Sequence, residues 1–120
     1  MNLAKREGGN AVVGFTATVG LLLIVTVTIV SLGLTWFARE VMKDSVALGA
    51  RFAALDGASE EVARERTFEL ITTTLPPAFA DDITITYGPS WVIVRACAPA
   101  PVLGLLLPIT IDVEGRATIE

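Results

Sequence analysis

The sequence predicts an α+β protein in which one very long apolar helix precedes a second helix and a small three-stranded antiparallel sheet. Three observations carry that prediction. An uncharged run extends from Gly8 to Ala38. A helical spacing of three and four continues from Arg39 to Leu75, and from Asp81 onward the period falls to two. The 120 residues suit one domain at most, since a domain takes roughly 100–150 residues. A hydrophobic fraction of 52% excludes a disordered chain. The net charge of −4, with nine scattered Lys and Arg, argues against nucleic acid, which requires clustered cations. There is no histidine and one cysteine, so neither a His/Cys metal site nor an internal disulfide can form. No cofactor or metal is expected.

The 52% is concentrated rather than spread. Ala11 to Phe37 is a run of about 27 residues, roughly 40 Å as a helix, against a hydrocarbon core of about 30 Å. Its Val, Leu, Ile and Phe residues favour insertion by several kcal/mol in sum, at about −0.3 to −0.6 kcal/mol each. The polar members are Thr16, Thr18, Thr26, Thr28, Ser31 and Thr35. Their hydroxyls can bond the preceding helical turn and so cost little in lipid. A helix buried in a soluble protein is the alternative, but the other ~80 residues could not enclose one this long. A secretory signal fits badly, because its apolar region would span about 7–15 residues and end at a small-x-small site. This run instead continues into Trp36-Phe37, an aromatic pair suited to the far interface.

Residues 1–9 read as a cytoplasmic leader, 10–37 as a transmembrane helix and 38–120 as an external α+β domain. Lys5 and Arg6 set that orientation by the positive-inside bias, a modest one because Arg39 and Lys43 lie beyond the other end. Val41, Ser45, Leu48, Phe52 and Leu55 then step by four and three along one face. The membrane helix therefore continues as a stalk until Asp56-Gly57 stops it. Gly49 and the alanines at 47, 50, 53 and 54 permit close helix approach. That approach serves either neighbouring molecules or the protein's own sheet.

Ser59 is an N-cap for a second helix to Leu75, with Glu60 and Glu61 in the first turn where the dipole favours them. Val62, Ala63, Thr67, Leu70, Ile71 and Leu75 form its apolar positions. Glu60 and Arg64 have the favourable four-residue spacing, and Pro76-Pro77 ends the helix. Ile83, Ile85 and Tyr87 then alternate with threonines before a Gly88-Pro89 turn. Trp91 to Cys97 is apolar on both faces except Arg95, which predicts a central strand covered on each side. Ile109, Ile111, Val113, Ala117 and Ile119 face inward on the last strand. The intervening apolar loop 99–108 packs either on the core or on a partner or lipid surface.

Gly8-Gly9-Asn10-Ala11-Val12-Val13-Gly14-Phe15 resembles the Gly-Ser-Ala-Val-Val-Glu-Phe junction of TadE-like proteins, the minor pilins or pseudopilins of the Tad (tight-adherence) pilus. The style is that of the actinobacterial branch. The resemblance continues through Ala50-Arg51-Phe52-Ala53-Ala54-Leu55, Arg66–Leu75, Ala80-Asp81-Asp82-Ile83-Thr84 and the run from Ala98 to Leu105. It implies a pilin-like fold, anchorage in the bilayer, other pilus subunits and Tad assembly proteins as partners, and cutting by a prepilin peptidase. The matching bond is Gly9–Asn10, and small glycines are expected to leave the backbone extended and open there. Removing Lys5, Arg6 and Glu7 would take the net charge from −4 to −5. One position departs from the family. Gly14 stands where glutamate is usual, and in type IV pilins that carboxylate pairs with a neighbour's N-terminal amine. An uncleaved single-pass protein whose external domain binds or regulates a partner is the alternative.

Catalysis is not expected. Without histidine the usual general base is missing. Ser59 and Ser90 lack a nucleophile-elbow context. Cys97, on a strand of Val, Ile and Ala, reads as an inert hydrophobe. Asp81 and Asp82 point apart in an extended chain and suit a turn or helix end better than a cation site.

Overall fold

The computed structural model describes residues 2–101 and 103–119, with side chains described for 7–101, 104 and 106–119. Val102 and the side chains of Lys5, Arg6, Leu103 and Leu105 bear on the sequence expectations but lie outside the described residues. The elements in chain order are α1 (Asn2–Ala53), α2 (Glu60–Thr72), a 3-10 turn (Pro77–Ala80), β1 (Asp82–Tyr87), β2 (Trp91–Pro99), the one-turn α3 (Leu103–Leu106) and β3 (Thr110–Thr118). The strands form one antiparallel sheet in the order β1-β2-β3, which is the predicted α+β layout. The chain divides into two compact units, Met1–Gly33 and Leu34–Glu120.

In the first unit every residue from Ala11 to Val30 is exposed except Gly20, which is half-buried. α1 is long and apolar enough to cross a bilayer: its most apolar window has mean hydropathy 2.4, and 6% of that window is buried. A core helix of a soluble protein would be mostly covered.

In the second unit α1 supplies Ala38, Met42, Val46, Ala50 and Ala53 to the core, with Ser45 and Gly49 buried beside them. Of the line Val41, Ser45, Leu48, Phe52 and Leu55 that the large residues suggest, Ser45 is buried and Val41 and Phe52 are half-buried against the core. Leu48 and Leu55 stay 49% and 60% exposed. Small side chains decide the matter, because they let the neighbouring elements come close. A Cβ on Gly49 would run into the Thr67 side chain of α2, and one on Gly115 would run into the Val46–Ala47 backbone. The sheet therefore seats on α1 where β3 has no side chain. Met42 and Val46 flank this seat, fully buried, and each contributes about 1.5–3 kcal/mol of burial.

α1 ends at Ala53, and the chain turns through Gly57, whose φ of 81° is left-handed. Ser59 caps α2 by accepting the Val62 N–H at 3.2 Å. The predicted Glu60–Arg64 pair is present at 2.8 Å. α2 buries Ala63, Thr67 and Ile71, while Val62 is exposed and Leu70 half-buried. It stops at Thr72 rather than Leu75, although Leu75 still reaches the core.

The sheet has one buried face, with Ile83, Ile85, Val92, Val94, Ala96, Ala98, Ile111 and Val113. β2 is central but is not covered on both sides. Trp91, Ile93 and Cys97 on its second face are only half-buried, and Arg95 is exposed. In-plane neighbours shield them in place of a second layer: Trp91 carries Arg116 at 5.0 Å from its ring centre. Ile109 precedes β3 and is 38% exposed, not inward-facing. The 99–108 loop splits between its two expected roles. Ala100 is buried, while Leu106 is 81% exposed and Leu107 is exposed as well.

Gly115→Ala places a methyl against main chain that cannot rotate away, so it is expected to cost about 1–3 kcal/mol. Urea unfolding of the full chain in detergent measures this. An unchanged midpoint would show that β3 is not pinned to α1.

Candidate functional site

The first candidate is the N-terminal stretch of α1. Gly8, Gly9, Asn10, Gly14 and Phe15 all lie within the helix, and all are exposed. The backbone at Gly8–Asn10 is thus helical rather than extended, because α1 carries its hydrogen-bond ladder through this point. The glycines act by weakening the helix. Each costs about 0.8–1 kcal/mol relative to alanine, so the Gly8-Gly9 pair is a place where α1 opens at reduced cost. A Cβ on Gly8, Gly9 or Gly14 would meet nothing within 4 Å, so packing inside the chain does not require glycine there.

Beyond Gly14 the helix turns several of its hydroxyls back on its own carbonyls. The hydroxyls of Thr18, Thr26, Thr28 and Ser31 donate to the carbonyls of Gly14, Leu22, Ile24 and Val27 at 2.6–2.8 Å. The surface left pointing outward is mainly apolar.

The second candidate is the open face of the sheet. The register aligns Asp82, Cys97 and Asp112 in one row and Thr84, Arg95 and Glu114 in the next. Arg95 crosses between rows and donates from Nε and a terminal nitrogen to the two Asp112 oxygens, at 3.0 and 2.5 Å. This hydrogen-bonded pair holds the Asp112 carboxyl below its ordinary pKa, and the guanidinium is held above its own. A shallow depression of about 270 Å³ lies here, lined by Asp82, Thr84, Arg95, Cys97 and Asp112. Among the described residues no three His, Cys, Asp or Glu converge to hold a metal ion. Ser59 is occupied as a cap, and Asp81 closes the 3-10 turn while Asp82 opens β1. Of the residues that suggest chemistry in the sequence, Asp82 and Cys97 are brought side by side, while Ser59 and Asp81 are held elsewhere.

The third candidate involves part of the stalk face read from the sequence, joined here by α2, which the sequence does not indicate. Leu48, Arg51, Phe52 and Leu55 of α1 and its C-terminal turn, with Arg66 and Leu70 of α2, line a shallow groove of about 290 Å³. Arg66 pairs with Glu69 at 3.2 Å, and Arg51 forms no ion pair among the described residues. The signal was present in the 4-3-4-3 spacing of residues 41–55, which marks a seam between helices. The spacing alone leaves open whether that face meets neighbouring molecules or the protein's own sheet.

No family model matches the chain, and no curated protein or solved structure does so either.

A carboxyl whose pKa is depressed by folding adds stability that is fully present above its unfolded value and lost as the pH falls through the folded one. Lowering the pH below about 4 should therefore destabilise the wild type more than Asp112→Asn. The gap should shrink in high salt, since both groups are exposed. Urea midpoints between pH 2 and 6 measure it, and parallel curves for the two proteins would remove Arg95–Asp112 as a stabilising pair.

Proposed function

We infer that the chain is a membrane-anchored minor pilin or pseudopilin that acts in assembling a Tad-type pilus. The observation that carries this reading is a charge-free, outward-facing apolar helix that begins just after Gly8-Gly9 and leads to a small α+β head. A helix with most of its hydroxyls bonded internally and its apolar side chains bare suits lipid or other apolar helices, not water. The Gly8-Gly9 weak point supplies what a membrane peptidase needs, a helix that can be opened at Gly9–Asn10. The head contributes packing surface rather than catalysis. In this reading the N-terminus is cytoplasmic, the head lies outside, and the partners are the bilayer, the prepilin peptidase, other pilus subunits and Tad assembly proteins.

Gly14 favours a second reading, an uncleaved single-pass protein whose external domain binds or regulates a partner. A pilin helix normally carries a carboxylate at this place, and here there is only open space.

Two measurements test the proposal. Intact mass of the membrane-extracted protein, made in the presence of the peptidase, should show a mature N-terminus at Asn10, and Gly9→Leu should abolish that cut. A full-length wild-type mass would sink the processing claim. The chain has one thiol, on the half-buried Cys97 of the open sheet face. An impermeant maleimide should label it in spheroplasts without lysis. Labelling only after lysis would reverse the orientation. Co-purification separates the two readings, since a pseudopilin should bring pilus or platform proteins with it.

A further inference from the structure

One end of the head is free of charge. No charged residue lies between Glu69 and Asp81, nor between Arg95 and Asp112. Because Asp82 pairs with Cys97, the 3-10 turn before β1 and the loop after β2 leave the sheet at the same end, and the turn packs on β2. This is the end at which the second unit begins. β3 follows α1 in the same sense: Gly115 meets the Val46–Ala47 backbone, while Arg116 to Thr118 share a depression with Ala54, Leu55 and Asp56 further along. Thr110 lies about 16 Å back along the strand from Gly115, towards Leu34, where the unit starts. Ala38 is buried, so the packing of the head extends nearly that far.

The loop at this end is bare. Leu106 is 81% exposed, more than any described large hydrophobic of α1, where Phe15 reaches 72%. Leu107 and Ile109 are exposed beside it, as are Trp36 and Phe37 near the start of the unit. The loop nevertheless turns backbone groups inward. The Gly104 N–H donates to the Ala100 carbonyl at 2.9 Å, Ala100 to Ile109 at 3.0 Å and Ile109 to Leu107 at 2.8 Å. Pro99, Pro101 and Pro108 have no N–H to place.

We propose that the 99–108 loop is a second membrane contact, with Leu106 and Leu107 inserted into the interfacial layer of the bilayer that α1 crosses. Three features make lipid the occupant. The loop carries no charge, whereas a protein interface ordinarily has a polar rim around its apolar centre. Its exposed leucines and its shortage of free backbone donors match a layer where water is scarce. It is also tied to the segment that leaves the bilayer, with Trp36 and Phe37 at the start of the same unit. The chain itself therefore holds the loop near the membrane surface, and aromatic side chains favour that level. A single crossing helix takes its tilt from its neighbours and interfacial anchors, and a loop inserted on one side supplies such an anchor from within the chain. This inference rests on the proposed reading only in taking α1 to cross a bilayer. Pilus assembly and cleavage at Gly9 play no part in it.

The test uses the full chain with Cys97→Ser, reconstituted into vesicles of phosphatidylcholine and phosphatidylglycerol. Leu106→Cys, Val25→Cys or Thr118→Cys then supplies one thiol for a nitrobenzoxadiazole dye. Spin-labelled lipids report contact with the bilayer, and iodide reports contact with water. Lipids labelled at the headgroup or high on the acyl chain should quench the dye at position 106 about two- to fivefold more than the dye at 118. Iodide should show the opposite order. Equal lipid quenching at 106 and 118 would overturn the inference. So would a dye at 106 shielded from iodide but not reached by lipid labels, which would point to a protein partner or a second copy. The dye at position 25 decides the anchor separately, through quenching by labels deep in the acyl chains. Quenching at 25 without quenching at 106 would remove the loop contact and leave the anchor standing. The reverse pattern would remove the anchor and leave the loop contact. A second variant guards against a chance effect of the dye. Leu107→Asp should lower the lipid quenching at 106 by about twofold or more, and unchanged quenching would overturn insertion. Leu107 is exposed, so the urea midpoint should match that of the parent chain.

Discussion

The seating of α1 on β3 at Gly115 is the contact on which the head depends. A sheet of three strands is too small to close a core by itself, since one of its faces must be covered to bury enough apolar area. Here the cover comes from α1 and α2, and the distance of approach is set by glycine. Any side chain at 115 would lift β3 away from the Val46–Ala47 backbone. The loss would spread to Met42, Val46, Val92 and Val94, all fully buried around the seat. Gly49 against Thr67 performs the same service between the two helices. The core is thin because its components are small, and it holds because glycine lets them come close.

One helix thereby carries three kinds of surface. From Ala11 to Val30 the side chains are bare and mainly apolar, and the hydroxyls of Thr18, Thr26 and Thr28 are turned back on the helix. Between Ala38 and Ala53 one side is pressed onto the head. Beside that side runs the open seam of Leu48 and Leu55, with Arg51 at its edge. The polar residues of the head are spent on caps, on the cross-strand Arg95–Asp112 pair and on the stacking of Arg116 over Trp91. An arrangement that gathers no charged groups into a reactive cluster among the described residues and leaves its leucines exposed is suited to assembly. This is why the proposed role is a structural one.

Much of the architecture was legible in the sequence because it rests on local rules. The uncharged run gives the long helix, Ser59 the start of α2, and the alternation around Ile83 and Ile111 the strands. What was not legible is which side of a helix or strand meets the rest. Large residues draw attention to Val41, Leu48 and Leu55, yet the buried line is the one where small residues permit close approach. β2 looks two-sided because Ile93 and Trp91 are apolar, although lateral neighbours shield them. Gly8-Gly9 suggests an extended stretch, but the hydrogen bonds of α1 run on through it. In each case the deciding term is a tertiary distance that no spacing along the chain encodes.

The contact at Gly115 also sets an order of events. The strands follow one another along the chain and pair with their neighbours, so the sheet needs only short loops to form. The seat joins Val46 to a residue about 70 positions later, a much longer loop to close. A chain emerging N-terminus first has made α1 long before β3 exists. The sheet is therefore assembled in the presence of a finished helix. Its last strand locks onto a template already in place, and until Gly115 arrives the apolar line Met42–Val46–Ala50 stays uncovered.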